Sequence, residues 1–359
     1  MCVQDIEQAS DKGMDPSQFL DAQIQNQSPS LNSSPLASIC ENTAVAESND
    51  DPVTNFVPIL RSGEWSDIGS RNYMEDTHIC IADLAKKFGH QCLDGETVSF
   101  FGVFDGHGGK GAAQFVRDNL PRVIVEDADF PLKLEKVVTR SFMETDGAFA
   151  EKCSLQDALQ SGTTALTAMI FGRSLLVANL GDCRAVLSRL GSAVEMSKDH
   201  RPCCTMERMR IESLGGFIDD GYLNGQLGVT RALGDWHLEG MKVLDAPGGP
   251  LSAEPELKLI TLTKEDEFLI IASDGVWDVF RSQNAIDFVR RRLQAHNDVK
   301  QCCKELVEEA IKRGASDNLT IVMVCFHSDP PSPAVVHRSR VRRSISAEGL
   351  QNIRYLLEG

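Results

Sequence analysis

The sequence has no apolar run of the roughly 18 to 20 residues needed to span a bilayer. Its start, Met1-Cys2-Val3-Gln4-Asp5, lacks the basic and apolar blocks of a secretory signal. These gaps predict a cytoplasmic or nuclear chain with no membrane partner. Position 2 is Cys2 and not glycine, so the N-myristoylation pattern is missing as well. No Cys-x-x-Cys pair occurs among the 11 cysteines, and the adjacent pairs Cys203-Cys204 and Cys302-Cys303 have the wrong spacing for tetrahedral zinc. They read as reduced thiols, mostly structural. Basic residues are also in short supply. Thirty-six Lys and Arg against 52 Asp and Glu leave a formal charge of -16, which argues against a nucleic-acid surface, since such surfaces collect Lys and Arg. Two nucleophile signatures are absent too: there is no Gly-x-Ser-x-Gly elbow, and no cysteine in a phosphate-cradling loop followed by arginine.

What remains is a 359-residue chain, 42% hydrophobic, long enough to bury a large core. Residues 1–57 are rich in Ser, Asn, Gln and Asp without a sustained period, and are expected to be a disordered leader. From residue 58 to 328 short apolar runs are punctuated by glycine, the pattern of strands joined by tight turns. The clearest strands are predicted at 99–104, 164–171, 174–179, 185–189, 267–272 and 320–326. Several are too uniformly apolar for a sheet with one wet face. Helical periodicity marks 111–120, 132–150, 205–214, 282–293 and 299–313. In the last, Cys303, Leu306, Val307, Ala310 and Ile311 form a predicted core stripe. Strands and helices do not alternate, so the expected class is α+β. Residues 329–359 start in a Pro-Pro-Ser-Pro run, carry a basic cluster around Arg338 to Arg343, and read as a flexible tail.

The acidic excess becomes informative through its placement. Phe100-Phe101-Gly102-Val103-Phe104-Asp105-Gly106-His107-Gly108-Gly109 is an apolar strand ending in Asp-Gly ahead of a helix. Glycines there allow backbone conformations barred to other residues and expose carbonyls to a ligand. Alone, Asp105 could equally cap the helix. The arrangement recurs at Phe268-Leu269-Ile270-Ile271-Ala272-Ser273-Asp274-Gly275, with Asp278 a turn later, and again at Ser316-Asp317-Asn318 before a strand. Arg71-Asn72-Tyr73-Met74-Glu75-Asp76 adds two carboxylates and an arginine. Converging carboxylates repel one another and need cations between them, and an all-oxygen donor set favours Mg²⁺ or Mn²⁺ over zinc or copper. Two such ions can share an aspartate and a water and align that water for attack on phosphorus.

These blocks resemble the type 2C (PPM-type) metal-dependent serine/threonine phosphatases. The resemblance runs from about Arg61 to Phe326 through Arg-x-x-Met-Glu-Asp at 71–76, Phe-Asp-Gly-His-Gly-Gly at 104–109, Ser-Asp-Gly-Val-Trp-Asp at 273–278 and Ser-Asp-Asn at 316–318. Between them lie Ser161-Gly162-Thr163-Thr164, the 178–185 block around Asp182, and Thr230-Arg231-Ala232-Leu233-Gly234-Asp235. The resemblance implies a four-layer α/β/β/α sandwich of two antiparallel sheets, with phosphoproteins as substrates and a monomer as the unit. It makes Asp105 the carboxylate bridging two metals, Asp274 and Asp317 ligands of the first, and the Gly106 carbonyl a ligand of the second. Glu75 and Asp76 would act through metal-bound waters, and Asp182, Asp274 and Asp278 would form a weaker third site. Arg71 would grip the substrate phosphate, and His107 would protonate the departing oxygen. Asp235 stays outside the catalytic set. The plant hormone co-receptor branch carries a tryptophan after the Gly215-Gly216 turn. Residues 215–225 have none, so that regulation is not expected, although the segment should still form a flap beside the active site. The competing readings are a catalytically inactive scaffold of the same fold, which would have lost a carboxylate or Arg71, and a small-molecule hydrolase with a deep arginine-lined pocket.

Overall fold

The uniformly apolar runs become the central strands of two five-stranded sheets in the computed structural model, which describes residues 56–90, 97–155, 160–243 and 248–333. The expected leader and tail lie outside the described residues apart from 56–57 and 329–333. The first sheet runs Arg61–Asp67, Leu319–Cys325, Asp266–Ala272, Arg184–Arg189, Ser192–Glu195, all antiparallel. The second runs Glu256–Thr261, Ser174–Leu180, Ala165–Phe171, Val98–Phe104, Thr77–Ile81, again all antiparallel.

Alternation along each strand splits the core into layers. Phe101, Val103, Leu166 and Ala168 of the second sheet pack against Leu187, Leu269, Ile271, Val322 and Val324 of the first. Their neighbours point outward: Phe268, Ile270, Ile321 and Met323 toward Ser282–His296 and Val299–Lys312, and Phe100, Phe104, Met169 and Leu176 toward Gly111–Glu126 and Leu134–Leu155. Both faces of each sheet are therefore dry, which is why these strands show no polar phase. The result is the α/β/β/α sandwich.

Edges behave differently. Arg61–Asp67 and Glu256–Thr261 pair on one side only and are partly exposed, so their polar residues hid them from a search for apolar runs. In Val299–Lys312 the stripe is also shifted: Cys302 is buried, whereas Ile311 is 39% exposed instead of joining the core. The 215–225 segment forms a small hairpin, Ile218–Asp219 with Tyr222–Leu223, seated on a separate apolar cluster of Ile211, Leu223, Val229 and Met241. Among the described residues no helix is long and apolar enough to cross a membrane.

Antiparallel pairing decides what meets at one end of the sandwich. Phe104, the last residue of its strand, pairs with Thr77, the first of the next. Ala272, also a last residue, pairs with Arg184 and lies beside the start of Leu319–Cys325. Asp105, Asp76, Asp274, Asp182 and Asp317 are thereby delivered to the same edge from opposite chain directions.

Candidate active site

Asp105 is held by its backbone, and its carboxyl lies against that of Asp76. Its N–H donates to Thr164 Oγ1 at 3.2 Å, and its carbonyl accepts from the Thr164 N–H at 2.9 Å and the Thr163 hydroxyl at 3.1 Å. Helix capping, the competing role, falls to another residue. The helix Gly111–Glu126 begins after Lys110, which makes no side-chain cap, and its Ala112 N–H donates to Ser161 Oγ at 3.0 Å.

Ligand oxygens of Asp105, Asp182 and Asp274 all lie within 4.8 Å of one another. Asp76 is 7% exposed and accepts from the Ser273 hydroxyl at 2.9 Å through one oxygen, while its other, Oδ1, is buried with no hydrogen-bond partner. Asn318 ties the Arg71-to-Asp76 loop to the same end by donating to the carbonyls of Ile68 and Tyr73 and accepting from the Glu75 N–H at 2.8 Å. Arg71 lies at the rim, its side chain 57% exposed, and pairs with Asp317. Gly106 pairs with Thr163 across a short three-stranded ribbon, where a Cβ would come within 2.6 Å of the Glu75 carbonyl oxygen. Asp278 is the most open of the carboxylates, with its side chain 56% exposed.

The electrostatics show what this end of the fold needs. Burial, then the charges of Asp76, Asp274 and Asp182, raise the Asp105 carboxyl well above the ordinary range. Asp274 is pushed up to about 7 by burial and by Asp182, Asp278 and Asp317. Asp76 is pushed up to about 6, chiefly by burial. Buried like charges at this spacing, together with the orphaned Asp76 oxygen, fit a divalent cation, and the all-oxygen donor set fits Mg²⁺ or Mn²⁺. One consequence can be measured. Between about pH 4 and pH 7 the metal-free folded chain holds protons on Asp76 and Asp274 that the unfolded chain, with carboxyls near 4, has released. Stability of the metal-free protein from these groups is therefore lost as pH rises through that window, by ~1.4 kcal/mol per pH unit for each net proton. A bound cation requires the deprotonated carboxylates, so its stabilisation grows with pH. The difference in melting temperature between Mn²⁺-loaded and EDTA-treated protein should widen from pH 5.5 to 7.5; a constant difference would contradict this charge balance.

One residue at this end escaped the sequence reading, and another was named in it without a role. Arg201 reaches Asp182 at 3.0 Å, Asp274 at 3.3 Å and Asp278 at 3.6 Å, partly neutralising the three carboxylates expected to form a weaker cation site. No local pattern around Arg201 marks this. Asp235, left outside the catalytic set, is 1% exposed, and its Oδ2 is 2.8 Å from His107 Nε2. Its signal was present in the 230–235 block, but its partner lies 128 residues away. Burial lowers the proton affinity of His107, but Asp235, by hydrogen bond and charge, with Asp182 and Glu75, more than reverses this and raises it.

Comparison with known proteins shows the family and the fold. The family model described as "Protein phosphatase 2C" matches residues 66–319. A rice protein, probable protein phosphatase 2C 27, is 71% identical over 325 residues, covering 90% of this chain and 92% of the relative. Probable protein phosphatase 2C 22 of Arabidopsis thaliana is 57% identical over 89% of this chain and 81% of its own. Among solved structures, a serine-threonine phosphatase 2C from Toxoplasma gondii superposes with a TM-score of 0.63 at 21% identity, covering 77% of this chain and 98% of the other. A sex-determining protein from C. elegans superposes at 0.66 with 24% identity, covering 76% of this chain and 65% of the other. At those identities the likeness shows the fold.

Proposed function

Because the chain belongs to the protein phosphatase 2C family and is thus a protein phosphatase, we propose that it hydrolyses phosphoserine and phosphothreonine esters on proteins with water activated at two Mg²⁺ or Mn²⁺ ions. The observation that carries this reading is the convergence of Asp105, Asp182 and Asp274 within 4.8 Å at one open end of the sandwich. When bound, the ions supply a better nucleophile from water and offset the charge of the phosphate. Asp105, Asp274, Asp317 and the Gly106 carbonyl would hold them, with Glu75 and Asp76 alongside. Asp182, Asp274 and Asp278 would take a weaker third.

The chain's own groups do the rest. Arg71 stands at the rim and presents a planar fork that suits two phosphate oxygens. His107 carries the proton for the departing side-chain oxygen: water's oxygen bonds to phosphorus, one of its protons staying on the phosphate formed and the other going to solvent, while the ester P–O bond breaks and the imidazolium proton goes to the alkoxide, the imidazole then regaining a proton from solvent. Retention of every carboxylate and of Arg71 speaks against the inactive-scaffold reading. The open rim, where Arg71 and Asp278 are more than half exposed, suits a protein substrate better than a small molecule that needs enclosure.

The test is turnover of a phosphothreonine peptide by the full chain with Mn²⁺ and with EDTA. Activity that persists unchanged in EDTA would sink the proposal. Arg71→Ala should remove a charge-assisted contact of ~1.5–3 kcal/mol and lower kcat/KM by roughly 10- to 100-fold. Most of that loss should appear in KM if the guanidinium serves mainly to bind the ground-state phosphate. An unchanged KM would move Arg71 out of the binding role.

A further inference from the structure

Behind His107 lies a second polar chain that no phosphate contact requires. Asp235 has a left-handed backbone, φ +58°, costly for a residue with a side chain and tolerated where its surroundings over-determine it. Its N–H donates to the Ser161 carbonyl at 3.0 Å. One residue earlier, the Gly234 N–H donates to Asp146 Oδ1 at 2.7 Å. Asp146, on the helix Leu134–Leu155, is itself paired with Lys242, whose Nζ lies 2.9 and 2.8 Å from the two carboxylate oxygens and 2.8 Å from the Ala232 carbonyl. The Trp236 indole N–H donates to the Asp146 carbonyl at 3.2 Å, and Lys242 sits 5.1 Å over the Trp236 ring. The ion-paired side chains are 4% and 5% exposed.

Burying such a pair costs desolvation that an apolar pair of similar volume would avoid. What the pair does here is specific. It binds the carbonyl of Ala232 and the N–H of Gly234, on either side of Leu233, and so grips the short strand Leu233–Gly234 that leads into Asp235. We infer that Asp235 is a positioning residue for His107, accepting from Nε2–H and so turning Nδ1 toward the leaving-group oxygen, and that the buried Asp146–Lys242 pair is the clamp that keeps Asp235 in its left-handed turn. The inference rests on the acid role proposed for His107. The ribbon leaves no slack: a Cβ on Gly162, which pairs with both His107 and Gly234, would land on Asp235 Oδ2 and His107 Nε2.

The prediction is a split by leaving group. A serine or threonine alkoxide needs the proton, whereas the phenolate of para-nitrophenyl phosphate leaves readily without it. Asp235→Asn, which keeps the shape and removes the charge, should lower kcat on a phosphothreonine peptide by roughly 100-fold, the range for a group that orients another, with KM within about threefold. On para-nitrophenyl phosphate the same variant should lose less than about fivefold. Gly162→Ala, which wedges the pair apart sterically, should give the same split. Lys242→Met should give it in weaker form, restored by Lys242→Arg. All are measured on the full chain with saturating Mn²⁺, alongside His107→Ala and thermal melts. If His107→Ala splits the substrates and Asp235→Asn lowers both equally or neither, the positioning inference is overturned while the phosphatase reading stands. If His107→Ala itself lowers both equally, the acid role fails and the inference with it.

Discussion

Asp105→Asn is expected to lower kcat/KM for a phosphothreonine peptide by roughly a thousandfold at saturating Mn²⁺, equivalent to ~4 kcal/mol of lost charge stabilisation around the reacting phosphate. The amide keeps one carbonyl oxygen but gives up the negative charge and the second acceptor through which Asp105 could serve two cations. Unlike the variants behind His107, this one should slow para-nitrophenyl phosphate by a similar factor, because activation of water matters for either leaving group. It should also reverse sign in stability. Without metal, desolvation and the neighbouring charges of Asp76, Asp274 and Asp182 raise the carboxyl of the half-buried Asp105, so a side chain that carries no charge in the folded or the unfolded chain escapes that cost. In EDTA the variant should melt above the wild type, and in Mn²⁺ below it. Turnover within tenfold of the wild type would remove Asp105 from the centre of the mechanism.

Gly275→Ala should be nearly as damaging, although the residue is not at a left-handed backbone position. Gly275 lies in the short helix Asp274–Trp277, and a Cβ there would land on the Asn318 carbonyl oxygen, with Asp317 Cβ only 3.4 Å away. A backbone atom cannot rotate aside as a side chain can, so the 316–318 turn must shift. That turn carries Asp317, and through the Asn318 amide it carries the 68–75 loop. Stability should fall by ~3 kcal/mol, the upper end for forcing extra volume into a packed site. Mn²⁺ affinity should fall by roughly 10- to 100-fold, as when groups that orient a metal site are lost. Gly147→Ala serves as the control: it sits in the helix Leu134–Leu155, where an added Cβ would meet nothing within 4 Å, and it should stabilise the fold by ~0.5–1 kcal/mol. Calorimetric Mn²⁺ titration and denaturant melts check both variants, and unaltered Mn²⁺ binding by Gly275→Ala would contradict the close-approach account.

The two Asp-Gly glycines refine what the pattern meant. From the sequence, glycine after Asp105 and Asp274 stood for backbone freedom. In the fold that freedom is used at Gly108 and Gly109, with φ of +67° and +119°. Gly106 and Gly275 are small because another chain segment passes directly over them, the Glu75 carbonyl in one case and the Asn318 carbonyl in the other. Both segments belong to the site, so the same dipeptide that marks the strand end also marks where the opposing loop seals onto it.

The central strands were legible because burial on both faces writes itself into consecutive residues, as in Phe100 to Phe104 and Phe268 to Ala272. Edge strands such as Arg61–Asp67 were not, since one-sided pairing leaves polar residues in place. The carboxylates at strand ends were legible for the same local reason. Arg201, Asp146 and Lys242 were not, because nothing near them in the chain distinguishes a surface charge from one folded against partners 19 to 96 residues away. What the sequence by itself determined is which residues are dry and which strand ends carry acid. Tertiary structure alone decided that those ends meet, through antiparallel pairing that turns last residues toward first ones, and that Asp235 stands behind His107, through a buried ion pair whose two halves have no local reason to find each other.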